Sequence, residues 1–352
     1  MLAQTPAVRG LLATLTACAA ASALGVGAQR GVLRLRGGGG GGGGVCDPVN
    51  GCHCVLGVRG RWEEQQGGGM RLLGHRGGVT RLLVARGAGR ELLVSGDGEG
   101  RIIVWDTEDF TQIAHLRGHK LGIASLALRG ADELFSGGYD NHIWHWSLVS
   151  MQGHRAAAGV PEVSWEANPQ TNPNAFVTWP GHTAPVLSLA LAGQEGMGGQ
   201  GAGGGGADGV LLSGDMHGVI KKWRVSREGG LGGGGRGGAG DEAECSWQAH
   251  LGQVWALAVD QRRRLLFSAG EDWLIAAWVL PSCNPSRQIR AHTAPVRALR
   301  VVGEVLFSGG RDCVLRAHAL DTGHDLGLNL SHTGWVLDVC ETADLRTLVP
   351  PS

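Results

Sequence analysis

Residues 134–146 read LFSGGYDNHIWHW, and residues 306–319 read LFSGGRDCVLRAHA. The opening LFSGGxD is written twice, but the first copy ends at Trp146 where the second has His318. Aligning on this stretch finds further copies. SGDGEGRIIVW starts at Ser95, SGGYDNHIWHW at Ser136, SGDMHGVIKKW at Ser213, SAGEDWLIAAW at Ser268 and SGGRDCVLRAH at Ser308. In every copy the serine and the closing aromatic, or His318, are ten residues apart. A Gly-His or Ala-His pair precedes each, at His75, His119, His182, His250 and His292, and His332 in SHTGWVLDV opens a sixth unit. Where no long insert intervenes, successive histidines are 40–44 residues apart.

Each unit reads as four short strands. An alternating apolar run follows the histidine (VTRLLVAR, VLSLALAG, VWALAVDQ, VRALRVVG), then LLVSG or LFSGG, then IIVWD or IKKW, then a fourth strand. Gly and Asp between the second and third strands supply a tight hairpin. A lone four-stranded sheet with two apolar faces is not stable, whereas neighbours packed face to face around a ring bury both. Period and pattern together predict an all-β fold, a β-propeller of four-stranded blades.

The chain resembles the WD-repeat β-propeller family over residues 70–349. The resemblance implies a structural tetrad: the His before strand a, the Ser of strand b, the Asp of the b–c turn and the Trp of strand c. Those groups can pair in series, carboxylate with imidazole, imidazole with hydroxyl, hydroxyl with indole N–H. Two repeats match throughout: His119, Ser136, Asp140, Trp146, and His250, Ser268, Asp272, Trp278. Glu99 and His217 occupy the Asp position in two others, and His318 ends the fifth, which reads as a weakened tie. His182, Asp215 and His217 read as an imperfect tetrad rather than a metal site.

Residues 1–36 fit a degenerate first repeat, because TPAVRGLLA at Thr5 resembles TAPVRALRV at Thr293. Counting it gives seven blades, with degenerate or incomplete blades at the ends. A targeting segment is the alternative reading, since residues 1–36 contain no Asp or Glu. Residues 37–69 read as a Gly-rich linker with a Cys cluster, and low-complexity inserts fall at 150–175, 192–209 and 228–243. These inserts occupy a–b or c–d loops, which leaves the d–a/b–c face uncluttered. Cys46, Cys52 and Cys54 lack the two separated pairs of a structural zinc site, so no metal is expected.

The 31 basic and 31 acidic residues cancel, which gives no polyanion footprint, and no run is long and apolar enough for a membrane span. No GxSxG, HExxH or GxxxxGK[ST] pattern appears, so neither a catalytic residue nor a cofactor is expected. The resemblance implies a non-catalytic scaffold that binds protein or peptide partners on the d–a/b–c face; from the charge balance and hydropathy, no nucleic-acid or membrane partner is expected. Carried over position by position, the residues before the turn Asp include Tyr139, Met216, Glu271 and Arg311, and those opening strand a include Gln253 and Trp335. Tyr, Trp, Met and Arg are enriched at interface cores.

Two alternatives stand beside this reading. One is a substrate receptor of a ubiquitin ligase, although Trp105-Asp106-Thr107-Glu108 departs from the WDxR of adaptor-binding members. The other is an RNA-associated zinc-finger/WD-repeat protein, from which the Cys46–Cys54 spacing departs. The expected location is cytoplasmic, with the nucleus as the alternative.

Overall fold

The computed structural model describes residues 72–86, 91–148, 181–193, 209–225 and 243–339, and a few short strands outside these ranges as backbone alone. Two of the latter, β1 (Val32–Leu33) and β2 (Leu56–Gly57), pair antiparallel. The rest of the repeat expected at 1–36, the Cys46–Cys54 cluster, the glycine tracts and everything after Val339 lie outside the described residues, and so does the count of seven blades.

Each cassette folds into an antiparallel meander. Blade one is β3 (Val79–Arg86), β4 (Glu91–Asp97), β5 (Arg101–Asp106) and β6 (Gln112–Arg117). Blade two takes β7 (Ile123–Arg129), β8 (Glu133–Gly138) and β9 (His142–Ser147). After an intervening β10 (Ser164–Glu166), its fourth strand is β11 (Ala175–Pro180). Blade three is β12 (Val186–Ala192), β13 (Gly209–Asp215), β14 (Val219–Val225) and β15 (Cys245–Gln248). Blade four is β16 (Val254–Asp260), β17 (Leu265–Gly270), β18 (Ile275–Val279) and β19 (Asn284–Ile289). Blade five is β20 (Val296–Val302), β21 (Val305–Gly310), β22 (Val314–Ala319) and β23 (Asp325–Ser331). No helix occurs among the described residues.

The first strands of successive blades, β3, β7, β12, β16 and β20, pack in that order, so strand a is the inner strand of each sheet. Four apolar clusters bridge neighbouring blades, and two more lie on blade one and on blade five. Val94 and Ile102 of blade one meet Ile123 and Trp146 of blade two, and Phe135 of blade two meets Val186 and Trp223 of blade three. Strand b is flanked on both faces, which is why it reads as a continuous apolar run; in Leu134–Gly138 every residue is buried.

The two glycines of LFSGG have separate steric reasons. A Cβ on Gly137 would stand 2.7 Å from Val186 Cγ1, and the equivalents Gly96, Gly214 and Gly309 meet Ile123, Val254 and Val336 in the same way. A β-branched residue opening each strand a therefore seats on the b strand of the preceding blade. Blade four has Ala269 at this place, in one cluster with Val296. The second glycine faces the histidine: a Cβ on Gly138 would lie 2.6 Å from His119 Nδ1, and one on Gly270 2.6 Å from the His250 ring.

The insert expected as low-complexity coil at 150–175 is more ordered than its composition suggests. Within it, β10 pairs parallel with β6, setting Ser164 against His115 and Glu166 against Arg117. Blade one thereby gains a fifth strand, and its outer edge is covered.

Candidate functional site

In blade two, His119 Nδ1 donates to Asp140 at 2.9 Å and Nε2 lies 2.8 Å from Ser136 Oγ, which accepts from Trp146 Nε1 at 2.9 Å. In blade four, His250 meets Asp272 at 2.9 Å and Ser268 at 2.7 Å, and Trp278 Nε1 reaches the same hydroxyl at 2.9 Å. The proton order follows from donor count. Each serine accepts from an indole, so its own hydrogen goes to the imidazole, and the imidazole proton goes to the carboxylate. The side chains of His119 and His250 have no solvent exposure, so an unmade bond here costs on the order of 1–3 kcal/mol.

The two blades without Asp at the aligned turn position take their carboxylate from two residues earlier. His75 Nδ1 lies 2.8 Å from Asp97 and His182 Nδ1 lies 2.9 Å from Asp215. Ser95 with Trp105, and Ser213 with Trp223, complete the chain. Glu99 and His217, which occupy the aligned position, instead donate backbone N–H to those carboxylates at 2.9 Å. Asp97 and Asp215 stand where the other blades have Gly138, Gly270 and Gly310, so one histidine admits a carboxylate from either position but not from both. Alignment on the turn Asp hid this, although the spelling SGD against SGG carries the signal.

Blade five also differs from its reading as a weakened tie. His292 meets Asp312 at 2.9 Å and Ser308 at 2.8 Å, while His318 Nε2 stands 3.0 Å from the same Ser308 Oγ. His318 takes the place of the indole and is fully buried.

Burial opposes ionisation of Asp140. The His119 bond and the backbone N–H groups of Lys120 and His142 outweigh that penalty and leave its carboxyl below the ordinary value. Asp97, Asp215 and Asp272 are lowered by the same balance with His75, His182 and His250. The tetrads are thus committed to holding strands together. Among the described residues, no group of three His, Cys, Asp or Glu side chains is placed to hold a metal.

The face bearing the d–a loops and b–c turns is built by a repeated backbone bond. Tyr139 N–H donates to Gly122 O, Met216 to Pro185, Glu271 to Gln253 and Arg311 to Pro295, each at 2.9 Å. The two classes of candidate residue read from the sequence therefore sit side by side. Tyr139 and Trp335 are exposed, whereas Met216, Gln253, Glu271 and Arg311 are half-buried.

Two residues the sequence reading missed organise this face. Register shifts in strand a at Val254/Ala256 and Val296/Ala298 take Trp255 and Arg297 out of the ladder, and such bulges re-aim a side chain. Trp255 Nε1 donates to Glu271 at 2.6 Å, and Glu271 accepts from Arg311 at 3.3 Å. The Arg297 guanidinium lies over the Trp255 ring, 3.3 Å from its centroid, and Arg311 lies 4.9 Å from that of Trp335. Glu271, Arg311 and Trp335 are thereby brought together through Trp255; Met216 is tied to the same face by its backbone. The signal available was an aromatic and a basic residue at one register, VWAL beside VRAL.

Fold and ties define a class: stacked four-stranded blades of propeller type, each closed by a buried His-Ser-carboxylate chain ending in an indole or, once, an imidazole. Residues 110–147 match the family model described as WD domain, G-beta repeat, so the chain carries a WD repeat across the fourth strand of blade one and the first three of blade two. Comparison with curated proteins gives no match. WD-repeat proteins are in general protein-interaction scaffolds without catalytic activity.

Proposed function

We propose that this protein is a non-catalytic scaffold that docks protein partners on the d–a/b–c loop face. The supporting observation is where large apolar side chains meet solvent. Of the seven large apolar side chains at least 40% exposed among the described residues, five (Leu121, Tyr139, Leu251, Trp273 and Trp335) lie on d–a loops or b–c turns. Apolar groups gathered on one face mark an interaction site more often than scattered ones do.

Trp273 is the sharpest case. Its φ of 69° is left-handed, and blades one and three place Gly100 and Gly218 at that turn position. A bulky residue there carries backbone strain. Holding an indole half in water at a strained position has no benefit for the free fold, whereas a partner covering it would recover the burial.

Differential affinity capture tests the reading. Leu251→Asp/Trp273→Asp should lose partners that wild type recovers, and Val279→Asp, on an exposed strand end outside these loops, should keep them. Equal recovery by both variants would refute the face.

A further inference from the structure

We propose that Arg297 and Arg311, shelved on Trp255 and Trp335, form an anion-recognition site that receives the carboxylate of an acidic peptide segment of a protein partner. The inference rests on the scaffold reading above and names the chemistry of the guest.

Arg297 is half-buried, and among the described residues it makes no hydrogen bond and no ion pair. Its contact is the face of Trp255, and stacking leaves the in-plane N–H donors of a guanidinium free. Arg311 spends one Nη on Glu271, and its buried Nε has no partner among the described residues. A planar carboxylate approaching edge-on matches the guanidinium fork in a way a second cation or an amide does not.

Electrostatics point the same way. Burial, and then the charges of Arg311 and Arg81, hold the Arg297 pKa down to about 10, against weaker opposing contributions from Glu271 and Tyr139. An incoming anion would relieve that penalty. Arg297, Arg311 and Arg81 against Glu271 leave two excess positive charges, a field that favours an anionic guest. The exposed indole of Trp335 beside the site and the balanced charge of the whole chain favour a peptide over a nucleic acid.

The test uses the full chain on an array of random decapeptides carrying Glu, Gln or phosphoserine at the central position. Wild type should retain Glu-centred peptides over Gln-centred ones by on the order of tenfold or more. Arg297→Gln should bind both at the Gln level while melting close to wild type, since it removes a half-buried charge that has no ion-pair partner among the described residues; Arg297→Lys should keep part of the preference. Equal retention of Glu and Gln by wild type, or a preference for phosphoserine over Glu, would overturn the proposal. Leu251→Asp/Trp273→Asp on the same array separates the two ideas. If that variant loses all peptides while wild type does not discriminate Glu from Gln, the face stands and the carboxylate site falls. If it retains them all while Arg297→Gln abolishes the Glu preference, the carboxylate site stands and the apolar rim does not.

Discussion

His318 Nε2 lies 3.0 Å from Ser308 Oγ, at the place where the other four described blades put an indole N–H. Ser308 gives its hydrogen to His292, so His318 must donate from Nε2. Its Nδ1 is then a buried lone pair with no partner among the described residues. Trp146 can only donate and cannot take a proton, whereas His318 can.

Folding consequently holds His318 neutral, with its pKa lowered from 6.5 to about 4, chiefly by burial. A folded pKa below the unfolded one gives stability that is complete above pH 6.5 and is lost as pH falls through 4. At ~1.4 kcal/mol per pH unit, the loss across that window is about 3 kcal/mol. His292, lowered mainly by burial, adds to it in the same direction. Urea unfolding measured from pH 7 to 4 should show this fall. His318→Phe should flatten most of it while starting roughly 1 kcal/mol lower at pH 7, because Ser308 loses a partner. A profile unchanged by the substitution would remove His318 as its source.

The two carboxylate positions around each tetrad histidine should be interchangeable. Asp97→Gly leaves His75 and its neighbours without their acceptor and should cost on the order of 1–3 kcal/mol in chemical denaturation. Adding Glu99→Asp turns SGDGEG into SGGGDG, which shares the SGGxD pattern of blade two, and should recover most of that loss. If the double variant is no more stable than the single one, the exchange of positions is not what sets the pattern.

Much of the fold was legible because its repeat is spelled in positions that packing lets vary little: a serine and, in four of five blades, an indole ten residues apart, a small residue under a neighbouring Val or Ile, a histidine before each strand a. The carboxylates of blades one and three were misplaced because alignment preserves sequence register, while the imidazole responds only to where an oxygen lies in space. Trp255 and Arg297 were passed over because a strict alternation of in and out has no place for the bulged residue. β10 could not be read because its pairing with β6 joins segments separated by three strands of the next blade, and its composition resembles coil.

The blade seam should show coupled packing. Gly137→Val would drive a side chain into Val186 and Ser125, whose atoms already lie 2.7 and 2.8 Å from a Cβ there, and overpacking of this kind costs typically 1–3 kcal/mol. Val186→Ala alone opens a cavity, but in the presence of Gly137→Val it should restore part of the loss. A double-mutant cycle of thermal unfolding would show this as a non-additive term of about 1 kcal/mol. Strict additivity would mean that the two blades do not meet through this pair.

Trp273 separates stability from binding most directly. Its left-handed backbone suits asparagine, which blade two carries at the same turn position as Asn141 with φ 68°. Trp273→Asn keeps the turn, removes an indole that is half exposed, and should leave thermal stability unchanged or raise it by about 1 kcal/mol. Partner capture should fall at the same time, because the lost ring is surface that only a complex would bury. A variant that is destabilised but still recovers partners in full would make Trp273 a part of the fold, and would remove the strongest support for the loop face as the docking surface.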